Sequence, residues 1–221
     1  MESEKMSKSL GNVLSLKSLL KRFDPEVIRL FILSAHYRSP LDYTDGLMEG
    51  TRESLNRWYS TLDRIRKSVS EGSGGKEAPR ELTKKIASLR GVYEEAMDDD
   101  FNSAKVVGLL FDLSREWNKG LDSGARVGKT DCDLFFKTVA LIHEALGVFG
   151  SDAATYIGKE TGRVLMNSGL TPETIEKEIA ERKKARGAKD WAEADRIRNG
   201  LLEKGIVIKD NPDGSTEWGV V

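Results

Sequence analysis

Cysteine and histidine are almost missing from these 221 residues: one Cys, at position 132, and two His, at 36 and 143. A lone cysteine excludes an internal disulfide and any zinc site built on several thiolates. The histidines lie far apart in sequence with no cysteine beside either, so neither reads as a metal ligand. Cys132 has no adjacent histidine to activate it and reads as a small buried apolar residue. An excess of one charge is missing too. Thirty-five Lys+Arg against 36 Asp+Glu leave a net charge of −1, so any contact with nucleic acid must come from a local patch. No apolar run approaches the roughly 20 residues of a membrane span, and no secretory signal opens the chain; the expected location is the cytoplasm. No period of 20–50 residues repeats, which argues against a solenoid.

What is present is helical rhythm. Asp24-Pro25-Glu26 reads as a helix start, with an N-cap acceptor, proline in the first turn and an acid at the positive dipole end. Val27, Ile28, Leu30, Phe31, Ile32 and Leu33 make that helix apolar enough to be central, and His36-Tyr37-Arg38-Ser39-Pro40 ends it. Leu47, Leu55, Tyr59, Leu62, Ile65 and Val69 carry a second, longer helix, and 70–79 reads as a flexible connector. A third helix is expected over about Arg80–Met97 and a fourth over Asn102–Lys119. After a loop from Gly120 to Lys129, Asp131 is expected to cap a fifth, which closes at Gly147–Gly150. Residues 150–170 read as a linker with a single short helix. Thr171-Pro172-Glu173 starts another helix, Ala188–Lys204 the next, and Ile206–Ile208 with Thr216–Val220 make a hairpin across Asn211-Pro212-Asp213-Gly214. The fold class is mainly α: an antiparallel helical bundle followed by a small α+β module of two helices and a β-hairpin.

Two stretches carry chemistry. Lys5-Met6-Ser7-Lys8-Ser9-Leu10-Gly11-Asn12 sets compact ammonium groups on flexible stems among small hydroxyls, which suits a mobile loop for a polyphosphate. Near the other end, Arg182, Lys183, Lys184, Arg186 and Lys189 form a basic cluster followed by Trp191, Asp195, Arg196 and Arg198. A ring or guanidinium can stack on an unstacked base while a carboxylate accepts from its N–H groups. Trp191 could equally belong to the core, and Trp218 reads as packing. A third candidate, Asp98-Asp99-Asp100, makes a poor magnesium cage, because adjacent acids point in different directions. It reads instead as capping and dipole complementation for the helix after Asn102.

The Lys5–Asn12 run matches the Lys-Met-Ser-Lys-Ser signature of class I aminoacyl-tRNA synthetases with its Leu-Gly-Asn extension. Four further stretches occur in the order of one family: 31–43 around His36-Tyr37-Arg38-Ser39-Pro40-Leu41; Met97–Asn102 leading into Leu110–Arg115; Leu146–Gly150; and Arg182–Arg186 with Lys189–Trp191, Ala194–Arg198 and Gly205-Ile206. Taken together, the chain resembles the C-terminal portion of the cysteinyl-tRNA synthetases. The resemblance implies ATP contacts by Lys5, Ser7, Lys8 and Ser9, with Lys5 and Lys8 stabilising the transition state as pyrophosphate leaves. It implies that Arg186, Trp191, Asp195, Arg198 and Asp210 read the GCA anticodon of cysteine tRNA. The implied map is a lysine-loop remnant of the catalytic region over 1–22, a helical bundle over 23–150, a linker over 151–170 and an anticodon-binding domain over 171–221. ATP with Mg2+, and Zn2+, are implied for a full-length enzyme, and a monomer is expected. The His-Ile-Gly-His-type signature and the zinc ligands of that family are not found in these residues, so the chain by itself is expected not to activate cysteine. The alternative is a free-standing tRNA-binding or regulatory protein derived from such an enzyme.

Overall fold

The computed structural model describes residues 15–70, 76–211 and 214–220. It forms two compact units that divide between Asp152 and Ala153.

The first unit is helical. α1 (Leu16–Leu19) is a single turn capped by the Ser15 hydroxyl. In α2 (Pro25–Leu33) the Asp24 carboxylate accepts from the Glu26 N–H at 2.8 Å, and Pro25 occupies the first turn where no N–H is needed. Val27, Ile28, Leu30 and Phe31 are buried, while Ile32 points outward, because a helix packed on one side buries only one stripe. α3 (Asp45–Ser70) buries Met48, Leu55, Trp58, Tyr59, Leu62 and Ile65 and exposes Leu47 and Val69 at its ends.

The expected connector ends in a two-residue strand, β1 (Lys76–Glu77). α4 (Arg80–Asp98) and α5 (Ser103–Asp122) follow, then β2 (Ala125–Arg126), which pairs in parallel with β1, and α6 (Lys129–Leu146). Helices α4 and α5 pack on each other across a very short link, so they run antiparallel; α6 packs on α4, and α3 packs on α2, α5 and α6. The core is aromatic. Trp58 lies 4.8 Å from Phe149, 6.2 Å from Phe135 and 6.5 Å from Phe111 between ring centroids, and Trp117 adds a 5.5 Å contact to Phe135.

Residues 146–151 are held from three sides. Gly147 ends α6 in the left-handed region (φ 66°), and a Cβ there would lie 2.3 Å from the Arg29 guanidinium. A Cβ at Gly150 would lie 2.2 Å from the His143 ring, whose Nδ1 is 3.1 Å from the Val148 carbonyl. The Glu26 carboxylate accepts from Tyr59 Oη (2.6 Å), the Phe149 N–H (2.5 Å) and Ser151 Oγ (3.1 Å), which joins the first turn of α2 to the chain after α6.

Three expectations are corrected in this unit. Asp131 does not cap α6; Gly128 is its N-cap, with no side-chain bond, and Asp131 lies within the first turn. Asp98, Asp99 and Asp100 do not cap α5. Asn102 does, accepting from the Lys105 N–H at 3.0 Å, because its side chain sits at the position that faces the free amides. Asp100 turns the other way, in a left-handed conformation shared with Phe101. It accepts from Tyr37 Oη (2.7 Å) and Arg38 (2.9–3.0 Å). Two stretches far apart in sequence thus meet. Finally, 76–77 and 125–126, both read as loop, bridge each other.

The second unit begins where a linker is expected. Residues 153–168 form a full helix, α7 (Ala153–Ser168), with Ala153, Tyr156, Glu160 and Val164 inward. The stripe contains a buried acid, Glu160, bonded to Arg163 at 2.9–3.0 Å. α8 (Pro172–Gly187) starts under the Thr171 cap. α9 (Trp191–Glu203) starts under Asp190, later than expected, because Lys189 is left-handed (φ 61°) and turns the chain. β3 (Ile206–Asp210) and β4 (Thr216–Val220) pair antiparallel, Ile206 opposite Val220 and Asp210 opposite Thr216. Val164, Leu170, Ile175, Ile179, Ile197, Leu201 and Ile206 form the core. Trp218 packs against it and donates to Glu176 at 2.9 Å.

Candidate nucleic-acid interface

Helix period decides what α9 shows to solvent. Ala194, Ile197 and Leu201 face the core, which leaves Trp191, Asp195 and Arg198, at i, i+4 and i+7, together on an outer face. Trp191 is 58% exposed and is no core residue. Asp195 and Arg198 are exposed and make no ion pair with described residues. Leu202, one further turn along at i+11, is 50% exposed and extends this face. Arg196, counted with the basic cluster in sequence, is turned to Glu193 through two bonds of 2.6 and 2.7 Å.

The remaining cations sort by burial. Lys183, Lys184, Arg186 and Lys189 are exposed, and Lys183 Nζ reaches the Gly214 carbonyl at 3.1 Å. Arg182 is buried. Its guanidinium grips Asp210 as a fork, Nη1 to Oδ1 at 2.9 Å and Nη2 to Oδ2 at 3.0 Å. Thr216 Oγ1 donates to Oδ1 at 2.9 Å, and Arg186 Nη1 donates to Oδ2. An ionised carboxylate offers about four lone-pair sites. All are taken at Asp210, so it can meet a base only by releasing one of these donors. The Arg182 hydrogen bonds, then that from Thr216 and the nearby positive charges, hold the Asp210 carboxyl well below the usual carboxylate range, although burial opposes them. The Arg186 side chain makes no other hydrogen bond among the described residues and is 42% exposed.

Of the expected site residues, α9 brings Trp191, Asp195 and Arg198 together, and the contact between α8 and β3 brings Arg186 and Asp210 together. Lys5, Ser7, Lys8 and Ser9 lie outside the described residues. Among the described residues no three His, Cys, Asp or Glu side chains converge to hold a metal ion. No described helix is long and apolar enough to cross a membrane.

Comparison with known proteins finds three successive family matches along the chain. Residues 1–53 match the family described as tRNA synthetases class I (C) catalytic domain, 92–151 the DALR domain, and 169–218 the cysteinyl-tRNA ligase anticodon binding domain. Cysteine–tRNA ligase of Geobacter metallireducens is 40% identical over 222 residues, covering 99% of this chain and 46% of that protein. The enzyme of Geotalea daltonii is 40% identical over 233 residues (99% and 47%), and that of Heliobacterium modesticaldum 40% over 218 (96% and 44%). The chain thus spans about half the length of the curated relatives it matches. With three successive family domains matched and this similarity along nearly all of its residues, the chain belongs to the cysteinyl-tRNA synthetase family, in the C-terminal part of which its sequence falls.

Proposed function

We propose that this chain supplies the tRNA-recognising C-terminal part of an ATP-dependent cysteine–tRNA ligase, and that its own contribution is to bind cysteine tRNA and read the anticodon. The observation that carries this reading is the exposed face of α9, where a stacking ring, a free carboxylate and a guanidinium stand one turn apart (Trp191, Asp195, Arg198). Trp191 stacks on an unpaired base, and Asp195 accepts from base N–H groups. Arg198 and Arg186 stack or donate, with Asp210 holding Arg186. Lys183, Lys184 and Lys189 supply the local positive field that a net charge of −1 does not. At the other end Lys5 and Lys8, with Ser7 and Ser9, contact the ATP phosphates and stabilise charge on the departing pyrophosphate. We place the protein in the cytoplasm as a monomer, and we propose that residues 1–221 alone do not activate cysteine.

The test is equilibrium binding to cysteine tRNA and to the same tRNA with an altered anticodon, at one fixed salt concentration. Trp191→Ala and Asp195→Ala should each weaken binding of the cognate tRNA, Trp191→Ala by about tenfold or more, the scale of one lost stack. Equal affinity of the unsubstituted chain for both tRNAs would overturn the anticodon assignment. ATP–pyrophosphate exchange with cysteine by this chain alone would overturn the proposed division of labour.

A further inference from the structure

Arg182 is an unusual residue to find buried. It is 8% exposed, and its Nε has no hydrogen-bond partner, so the structure spends a desolvated cation on a single carboxylate. An apolar side chain of similar length would fill the same space between α8 and the hairpin without desolvating a charge. What the apolar side chain could not do is present a planar fork that fixes both oxygens of Asp210. Asp210 is in turn a hydrogen-bond partner of Arg186, one helical turn beyond Arg182 on α8.

We propose that Arg182 is a positioning residue of the RNA-reading surface: by fixing Asp210 it fixes the guanidinium plane of Arg186 with its remaining donors turned outward. This rests on the anticodon reading given above. With Arg182 present, only one acceptor position of Asp210 remains for Arg186, which therefore holds one bond to the protein and keeps the others for a base. Without Arg182, two acceptor positions fall vacant and Arg186 becomes the nearest guanidinium. Asp210 then takes it in a fork, and the donors meant for RNA are spent inside the protein. Thr216 works from the opposite side, occupying Oδ1 through its hydroxyl.

The experiment uses the whole chain and measures affinity for cysteine tRNA and for an anticodon-altered tRNA; the readout is the ratio of the two. Arg182→Met should lower that ratio by about tenfold, the scale of one charge-assisted contact, while affinity for the altered tRNA stays within about twofold. Arg182→Lys keeps the charge without the fork and should recover only part of the ratio. Thr216→Val removes one hydrogen bond at small structural cost and should lower the ratio by about threefold, which keeps the question open to test if Arg182→Met does not fold. An unchanged ratio in the folded variants overturns the inference, and so does an equal loss for both tRNAs, which would mark Arg182 as scaffold only. A ratio of one in the unsubstituted chain would instead bring down the anticodon reading itself.

Discussion

Asp210→Asn tests the energetics of the hairpin anchor. The substitution keeps the shape of the side chain but removes its charge, leaves one acceptor oxygen in place of two, and turns an NH2 group toward guanidinium donors. Arg182, whose Nε already lacks a partner, is left buried with at most one of its two fork bonds. Removing one partner of a buried ion pair costs about 3–5 kcal/mol. Because the Asp210 side chain is 37% exposed, water compensates part of the loss, and about 2–3 kcal/mol is the expected penalty. Amide hydrogen exchange at Ile206–Ile208 reports opening of this unit directly. A penalty of that size lowers protection by about 30- to 150-fold, since about 1.4 kcal/mol is a factor of ten. The pH dependence has a definite sign. The folded-state value lies below the unfolded one, so the stabilisation is complete above the ordinary carboxylate range. It is lost as pH falls from about 4 toward the depressed value. The unsubstituted unit should lose protection across that window, and Asp210→Asn should lack this part of the loss. Protection within about threefold of the parent at neutral pH would refute the reasoning, because the fork would then carry no net stability.

Two further outcomes test the bundle. Gly150→Ala sets a methyl group against the His143 ring and should cost about 1–3 kcal/mol in thermal unfolding. His143→Ala in the same chain should return part of that cost, and strict additivity of the two would contradict the packing. Cys132 is buried, and burial first, then the nearby Asp131 and Asp133, pushes its thiol up to about 11. A thiol reagent at pH 8 should therefore modify it only as fast as the bundle opens, and prompt labelling of the folded protein would contradict its burial.

Local signals survived from sequence to structure. Asp24-Pro25 and Thr171-Pro172 start helices because cap and proline act within one turn, and Ile206–Asp210 pairs with Thr216–Val220 because the strands are neighbours in the chain. The misses are non-local or masked by composition. The bridge between 76–77 and 125–126 is too short for any period to mark, and α7 carries Gly158 and Gly162 in its middle, residues of low helix propensity that read as linker. At the candidate interface the residue types were legible but their assignments were not. Arg182, Arg186 and Arg196 look alike in a basic run, yet one is buried in a fork, one is shared with a carboxylate, and one is turned to a glutamate. The partner of Arg182 and Arg186 is Asp210, 28 positions beyond Arg182, whereas Arg196 takes Glu193 three residues before it.

The Glu26 contacts set a timetable for the chain's synthesis. Glu26 and Ser151 are 125 positions apart, and the Phe149 amide is almost as distant. At about 5–20 residues per second, a ribosome needs roughly 6–25 s to travel from one to the other. For that interval the first turn of α2 carries a carboxylate awaiting two of its partners, and the core aromatics Trp58 and Phe111 await Phe149. The early helices can form in microseconds, but the bundle cannot close before its last loop emerges. Nascent chains halted before Phe149 should therefore be cut readily by a protease within α2 and α3, and chains halted well beyond Ser151 should resist.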